Sequence, residues 1–167
     1  MGYHLDVITD DVGEAIRYAG GLMFDCCRAG WQVVVTTDDV AHTEALAILG
    51  VRAQSPSSSE SAAPRRGDFR AVVARFDHAP TTSPQTEDTR LHWADDHPED
   101  SDAAMEPVGY RLSAAARAFK ARALIRAGLP QSALDEQFWT ADGTPLSTAA
   151  DGGASRLPTR VGEYVRG

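Results

Sequence analysis

The stretch YHLDVITDDVGEAIRYAGGLMFDCCRAGWQVVVTT, from Tyr3 to Thr37, decides the fold. Its first seven residues, Tyr3 to Thr9, alternate in apolar character and predict a strand. Asp11 stands at the head of an apolar stripe of Val12, Ala15, Ile16, Ala19, Leu22, Met23 and Cys26 at helical spacing. Glu14, Arg17, Asp25 and Arg28 fall on the opposite side. Asp11 is expected to cap this helix, with Glu14 reaching back to the cap's own N–H in a capping box. Gly30 supplies the left-handed turn that ends it. Trp31 to Thr37 is a short β-branched run, the pattern of a buried strand.

Working outward, Asp38 and Asp39 lead into a second expected helix with Val40, Leu46 and Leu49 on its apolar face and Gly50 at its end. Val51 begins a return toward the sheet. Strand, helix, strand, helix with turns this short predicts an α/β fold: a small Rossmann-like, doubly wound sheet in one domain over 1–167. Three flexible segments are expected, at 54–67, 77–107 and 140–160, from their Ser, Pro, Gly and acidic content. Between them, Asp68 to Phe76 reads as a strand. Ser113 caps a helix running to about Ala127, with Leu112, Ala116, Phe119 and Ala123 on its apolar face, and Gly128 ends it. Pro130 opens a short helix reaching Trp139, and Val161 to Val165 adds an edge strand. The runs Ala29-Gly30-Trp31-Gln32-Val33-Val34-Val35 and Ala47-Ile48-Leu49-Gly50-Val51 resemble small α/β proteins of unknown function from high-GC actinobacteria. That resemblance covers the first third of the chain and implies a fold class without a catalytic residue to carry across.

Composition narrows the class further. With 43% hydrophobic residues and a net charge of -8 over 167 residues, the chain is neither wholly disordered nor a coiled coil, and no run reaches the roughly 18–20 apolar residues of a membrane span. Asn is absent and Lys occurs once, at Lys120, so the abundance of Arg reflects codon usage as well as chemistry. Eight acids against Arg90 between Glu87 and Glu106 concentrate -7 of the net charge in one window. Cys26 and Cys27 are adjacent, which is neither a disulfide framework nor a CxxC pair, and helix packing is their expected role. The absence of a signal-peptide pattern adds to an expected cytoplasmic location.

Two regions are candidate sites. The turn after the first strand, with Asp10, Asp11 and Gly13, lies where an α/β fold binds ligands, and Gly13 would let a backbone come close. Asp38 and Asp39 end the second strand, where a dinucleotide fold keeps its ribose-binding acid. G-x-G-x-x-G is absent, however, and Asp10 and Asp11 repel phosphate. On the helix after Ser113, Arg117, Lys120, Arg122 and Arg126 flank the apolar face and suit an acidic partner, which the acidic segment itself could mask. Phe138 and Trp139 are the expected exposed anchors of a protein interface. His92, Asp95, Asp96 and His97, with Asp77 and His78, are the densest potential metal ligands, but their spacing fits no standard motif, and no metal or cofactor is expected. No G-x-S-x-G elbow is present.

The leading expectation is therefore a non-catalytic binding or protein-interaction domain with a protein partner or a second copy of itself, without membrane or nucleic-acid partners. The alternative is a small-ligand or nucleotide-binding Rossmann-like protein, with or without catalysis.

Overall fold

In β1 (Tyr3–Ile8), Leu5 and Val7 enter the core while His4 and Asp6 stay half-buried on the other side, as a period of two requires. The fold built around that strand is a computed structural model describing residues 2–58, 68–77, 89–94, 105–131 and 135–141. After β1 come α1 (Val12–Arg28), β2 (Gln32–Thr36), α2 (Thr43–Ile48), β3 (Arg52–Gln54), β4 (Phe69–Arg75), β5 (Thr89–Trp93), β6 (Glu106–Arg111), α3 (Ala114–Arg126) and β7 (Asp135–Thr140). The sheet order is β3-β2-β1-β4-β5-β7-β6. β1 to β5 are parallel, and β7 is antiparallel to both of its neighbours. The chain winds from β1 outward through β2 and β3, then crosses to β4 and β5 on the other side. This is the doubly wound Rossmann-like α/β arrangement.

α1 holds the centre. Its expected stripe is buried along its whole length, and Gly20, Gly21 and Phe24 are buried with it. Gly30, at φ 86°, makes the turn into β2. α1, α2 and α3 touch one another and share one core with Leu5, Val7, Val33, Val35, Val73 and Leu91 of the sheet. Ser113 sits beside Asp25 and Leu129 beside Gly13, so α3 runs back along α1 in the opposite direction.

Several expectations are corrected. The helix expected to reach Trp139 is instead β7, in which Glu136, Phe138 and Thr140 alternate inward. Phe138 is 0% exposed and Trp139 7%, so neither is a surface anchor. The segment 77–107 is not uniformly a flexible insertion. It contributes β5, whose inward Thr89, Leu91 and Trp93 alternate with Arg90 and His92, and the first two residues of β6. Residues 78–88 and 95–104 of that segment, 59–67 of the first and 142–160 of the third, and the expected edge strand at 161–165 lie outside the described residues.

α2 begins at Thr43, leaving Val40 86% exposed rather than on an apolar face, while Leu46 and Leu49 are buried as expected. The delay has a local cause, because the Asp39 carboxylate accepts the Ala41 N–H and holds that stretch in a turn. The capping box is only half formed. Asp11 accepts the Glu14 N–H at 3.0 Å, but Glu14 pairs with Arg75 at 3.1 Å. The Asp11 N–H donates to Thr9 Oγ1 instead. No described helix is long and apolar enough to cross a membrane.

Candidate functional site: two Thr-Asp-Asp turns at the strand ends

β1 and β2 end on the same three residues, Thr9-Asp10-Asp11 and Thr37-Asp38-Asp39, and fold into the same turn. In each, the buried threonine Oγ1 accepts the N–H of the second aspartate, at 3.1 Å from Asp11 and 3.0 Å from Asp39. The Thr9 hydroxyl also donates to the Asp11 carbonyl at 2.8 Å. The repeated turn sorts the four acids into two duties.

The second aspartate of each turn serves the first turn of α1. Asp11 Oδ1 accepts from the Glu14 N–H at 3.0 Å, and Asp39 Oδ2 accepts from the Val12 N–H at 3.0 Å. Asp39 Oδ1 takes the Ala41 N–H at 2.7 Å, tying the β2–α2 loop to α1. Two of the end amides that would hold a ligand phosphate are thus already bonded to carboxylates of the chain.

The first aspartate of each turn faces a cleft of about 430 Å³. Its lining is Ile8, Thr9, Asp10, Thr36, Asp38, Asp39 and Pro56, drawn from the carboxyl ends of β1 and β2 and the turn after β3. Asp10 and Asp38 are both exposed. Ser55 Oγ donates to Asp38 Oδ1 at 3.1 Å, and Gln54 Nε2 donates to Thr36 Oγ1 at 3.2 Å, which brings the β3 loop into the wall. Four of the five expected ligand-site residues therefore sit at or directly behind the cleft. Gly13 does not. A Cβ there would come within 2.9 Å of Leu129 Cδ1 on the far end of α3, so its smallness serves helix contact rather than a ligand.

Of the four cations of the expected basic surface, Lys120 alone is buried. Lys120 is 3% exposed, and its Nζ lies 2.7 Å from Glu136 Oε1. Arg126 pairs with Glu44 of α2, and Arg117 Nη2 donates to the Leu112 carbonyl at 3.2 Å. Arg122 remains exposed. Phe119, 39% exposed, stacks on Phe24 at 4.6 Å, and Ile125 is 64% exposed.

Sequence reading also missed a buried polar cluster. Glu136 accepts the N–H groups of Gly21 and Leu22, at 2.7 and 2.9 Å, as well as the Lys120 ammonium. Burial pushes its carboxyl above the usual range, with Lys120 and the two amides opposing. Nearby, Asp25 accepts from the Tyr110 hydroxyl at 2.8 Å and from Ser113 Oγ at 2.5 Å. Burial likewise raises the Tyr110 phenol and the Cys26 and Cys27 thiols, which fits packing rather than nucleophilic roles for both cysteines. Of the potential metal ligands, Asp77 pairs with Arg75 at 3.1 Å, and His92 is held below the usual imidazole range by burial. His78, Asp95, Asp96 and His97 lie outside the described residues. Among the described residues no group of three His, Cys, Asp or Glu side chains is placed to hold a metal ion.

No protein-family model matches the chain, and no curated protein matches it in sequence. Among solved structures, it is similar to the crystal structure of a deacetylase triple mutant involved in the teicoplanin biosynthetic pathway. The TM-score is 0.58 at 11% identity, covering 84% of this chain and 100% of that one. At that identity the likeness is one of fold.

Proposed function

We propose that the chain is a small-ligand-binding Rossmann-like domain whose site is the cleft between the two Thr-Asp-Asp turns. The observation that carries this reading is the sorting of the four acids. Asp11 and Asp39 occupy amides of the α1 N-terminus, while Asp10 and Asp38 stand exposed at the cleft, whose wall Asp39 shares. Open α/β sheets bind ligands outside the carboxyl ends of their strands, and this cleft lies there. Its chemistry favours a neutral or cationic molecule bearing hydroxyl or amine donors over a phosphorylated one. A hydroxyl-rich, acyl-bearing molecule falls within that class, and the fold likeness to a deacetylase is compatible with it.

The test is a thermal-stability screen of free nucleosides, sugars and polyamines beside inorganic phosphate and AMP. At a hundredfold excess over Kd a true ligand adds about 2.7 kcal/mol, roughly 5–10 °C in Tm for a domain of this size. The reading expects such a shift from an unphosphorylated probe, abolished by Asp38→Asn, and none from phosphate. A shift with phosphate or AMP alone would refute the ligand class, and indifference to Asp38→Asn would refute the site.

Protein interaction is the second reading. With Phe138, Trp139 and Lys120 buried, it rests on the outward face of α3, where Phe119 and Ile125 present apolar surface beside Arg122.

A further inference from the structure

The cleft sets one side-chain donor among its acceptors. Of the residues that line it, Ile8 and Pro56 are apolar, and Asp10, Asp38 and Asp39 are carboxylates that only accept. Its two hydroxyls differ in where their protons go. Thr9 gives its proton to the Asp11 carbonyl at 2.8 Å. Thr36, half-buried at the end of β2, accepts from Gln54 Nε2 at 3.2 Å. An oxygen that receives that N–H keeps its own proton for another acceptor, and no described residue takes it.

Thr36 pairs with Ile8 across β2 and β1, and Asp38 and Asp10 stand two residues further along the same strands' ends. With adjacent strands ~4.8 Å apart, a hydroxyl donor and two carboxylates share one corner of the cleft. Ser55 already donates to Asp38 Oδ1 at 3.1 Å, so Oδ2 and the Asp10 carboxylate are the oxygens that corner offers.

We propose that the cleft selects hydroxyl groups over amines, and that Gln54 sets the choice as a positioning residue by turning the Thr36 hydroxyl into a donor. The proposal rests on the ligand-binding reading and narrows it to neutral molecules with adjacent hydroxyls. A ligand hydroxyl accepts the Thr36 proton and gives its own to Asp10 or Asp38, which satisfies both sides of the corner. A protonated amine has donors alone. It bonds the carboxylates but turns N–H groups toward the Thr36 proton and leaves that donor unmatched. Two adjacent hydroxyls fit best, since each carboxylate then receives one.

The test measures binding to the full chain by calorimetry at about pH 6, below the ordinary value of an amino group. The diol probes are adenosine, D-ribose and D-glucose, and the amine probes are spermidine, putrescine and D-glucosamine. At least one diol is expected to bind the wild type about fivefold or more tighter than every amine, the worth of one matched hydrogen bond. Thr36→Val should remove that preference by weakening the diol. Gln54→Glu gives the Thr36 proton an acceptor, turns a lone pair to the cleft and should reverse the order. The added carboxylate also attracts amines at a distance, so Gln54→Glu is read again in the presence of Thr36→Val. An amine gain that survives loss of the hydroxyl is charge alone and overturns the proposal, as does a wild type that prefers amines.

A second readout needs no ligand. Thr36→Val should quicken solvent exchange of the Gln54 side-chain amide protons, because their acceptor is gone. Diol binding with a Gln54 amide indifferent to Thr36→Val overturns this proposal alone. Silence from every probe overturns the ligand-binding reading and this proposal with it.

Discussion

Gly21 shows how little room a single position leaves in this fold. A Cβ there would lie 2.2 Å from Leu112 Cδ2 and 2.3 Å from its Cγ, a clash along the packed seam of α1 and the β6–α3 junction. Gly21→Ala is therefore expected to cost about 1–3 kcal/mol by overpacking. In a denaturant cycle with Leu112→Ala, the double variant should fall short of the summed losses by about 1 kcal/mol or more, since the second change removes the clash. Strict additivity would show that the backbone yields instead. The Glu136 carboxylate beside it makes a second residue-scale prediction. Removing one partner of a buried ion pair costs about 3–5 kcal/mol, so Lys120→Met should lower the urea-derived stability by that order. The pH sign follows from the direction of the Glu136 shift. Its folded pKa is raised, so the folded state holds the proton more tightly, and its contribution is full below the ordinary carboxylate value. It is lost as pH rises through the folded value. The stability advantage of wild type over Glu136→Gln should thus shrink on going from about pH 4 to pH 8, and an advantage growing with pH would contradict the shift.

At the level of elements, the β2–α2 loop is fixed less by α2, which is only six residues long, than by Asp39. Asp39→Ala removes the acceptor of both the Val12 and Ala41 amides and should cost about 1–2 kcal/mol, in the range of a lost helix cap. Amide exchange is expected to quicken at Val12 and Ala41 while Glu14, held by Asp11, keeps its protection. If all three change alike, the loop and the helix end are not joined through Asp39. Elements whose side-chain period and end signals agree were legible in the sequence. In α1, the stripe from Val12 to Cys26, the Asp11 cap and the Gly30 turn all coincide with the observed helix. β5 was hidden because its alternation of Thr89, Leu91 and Trp93 is embedded in the most acidic stretch of the chain, where charge outweighs a five-residue pattern. β7 was mistaken for a helix because Pro130 is a good helix opener, although Phe138, Trp139 and Thr140 favour a strand. The cleft was half legible. The paired Thr-Asp-Asp runs mark equivalent turns, but which aspartate of each pair faces the ligand depends on where α1 begins in space. The Glu136 network spans more than a hundred residues of sequence, and local pattern carries no trace of it.

For the molecule as a whole, the uneven charge matters less for partner choice than the sequence suggests. The -7 window between Glu87 and Glu106 faces a supposedly basic helix in the linear reading, yet the fold has already committed three of that helix's cations. Lys120 is buried against Glu136 and Arg117 donates to a backbone carbonyl, whereas Arg122 and Arg126, the latter paired with Glu44, stay exposed on α3. Beside them, α3 offers apolar surface. Ile125 and Phe119 are large side chains left in contact with water, and a second copy of the chain is one partner able to cover them. The interaction reading accordingly predicts a concentration-dependent mass by sedimentation that is insensitive to salt, since apolar burial rather than ion pairing would hold the contact. A buried apolar anchor is worth about 2 kcal/mol, so Ile125→Glu should weaken such a dimer roughly thirtyfold while leaving the exposed residue's own fold stability nearly unchanged. A dimer unaffected by Ile125→Glu, or one dissolved by salt alone, would exclude the α3 face. A monomer at every concentration would remove self-association as the use of that face.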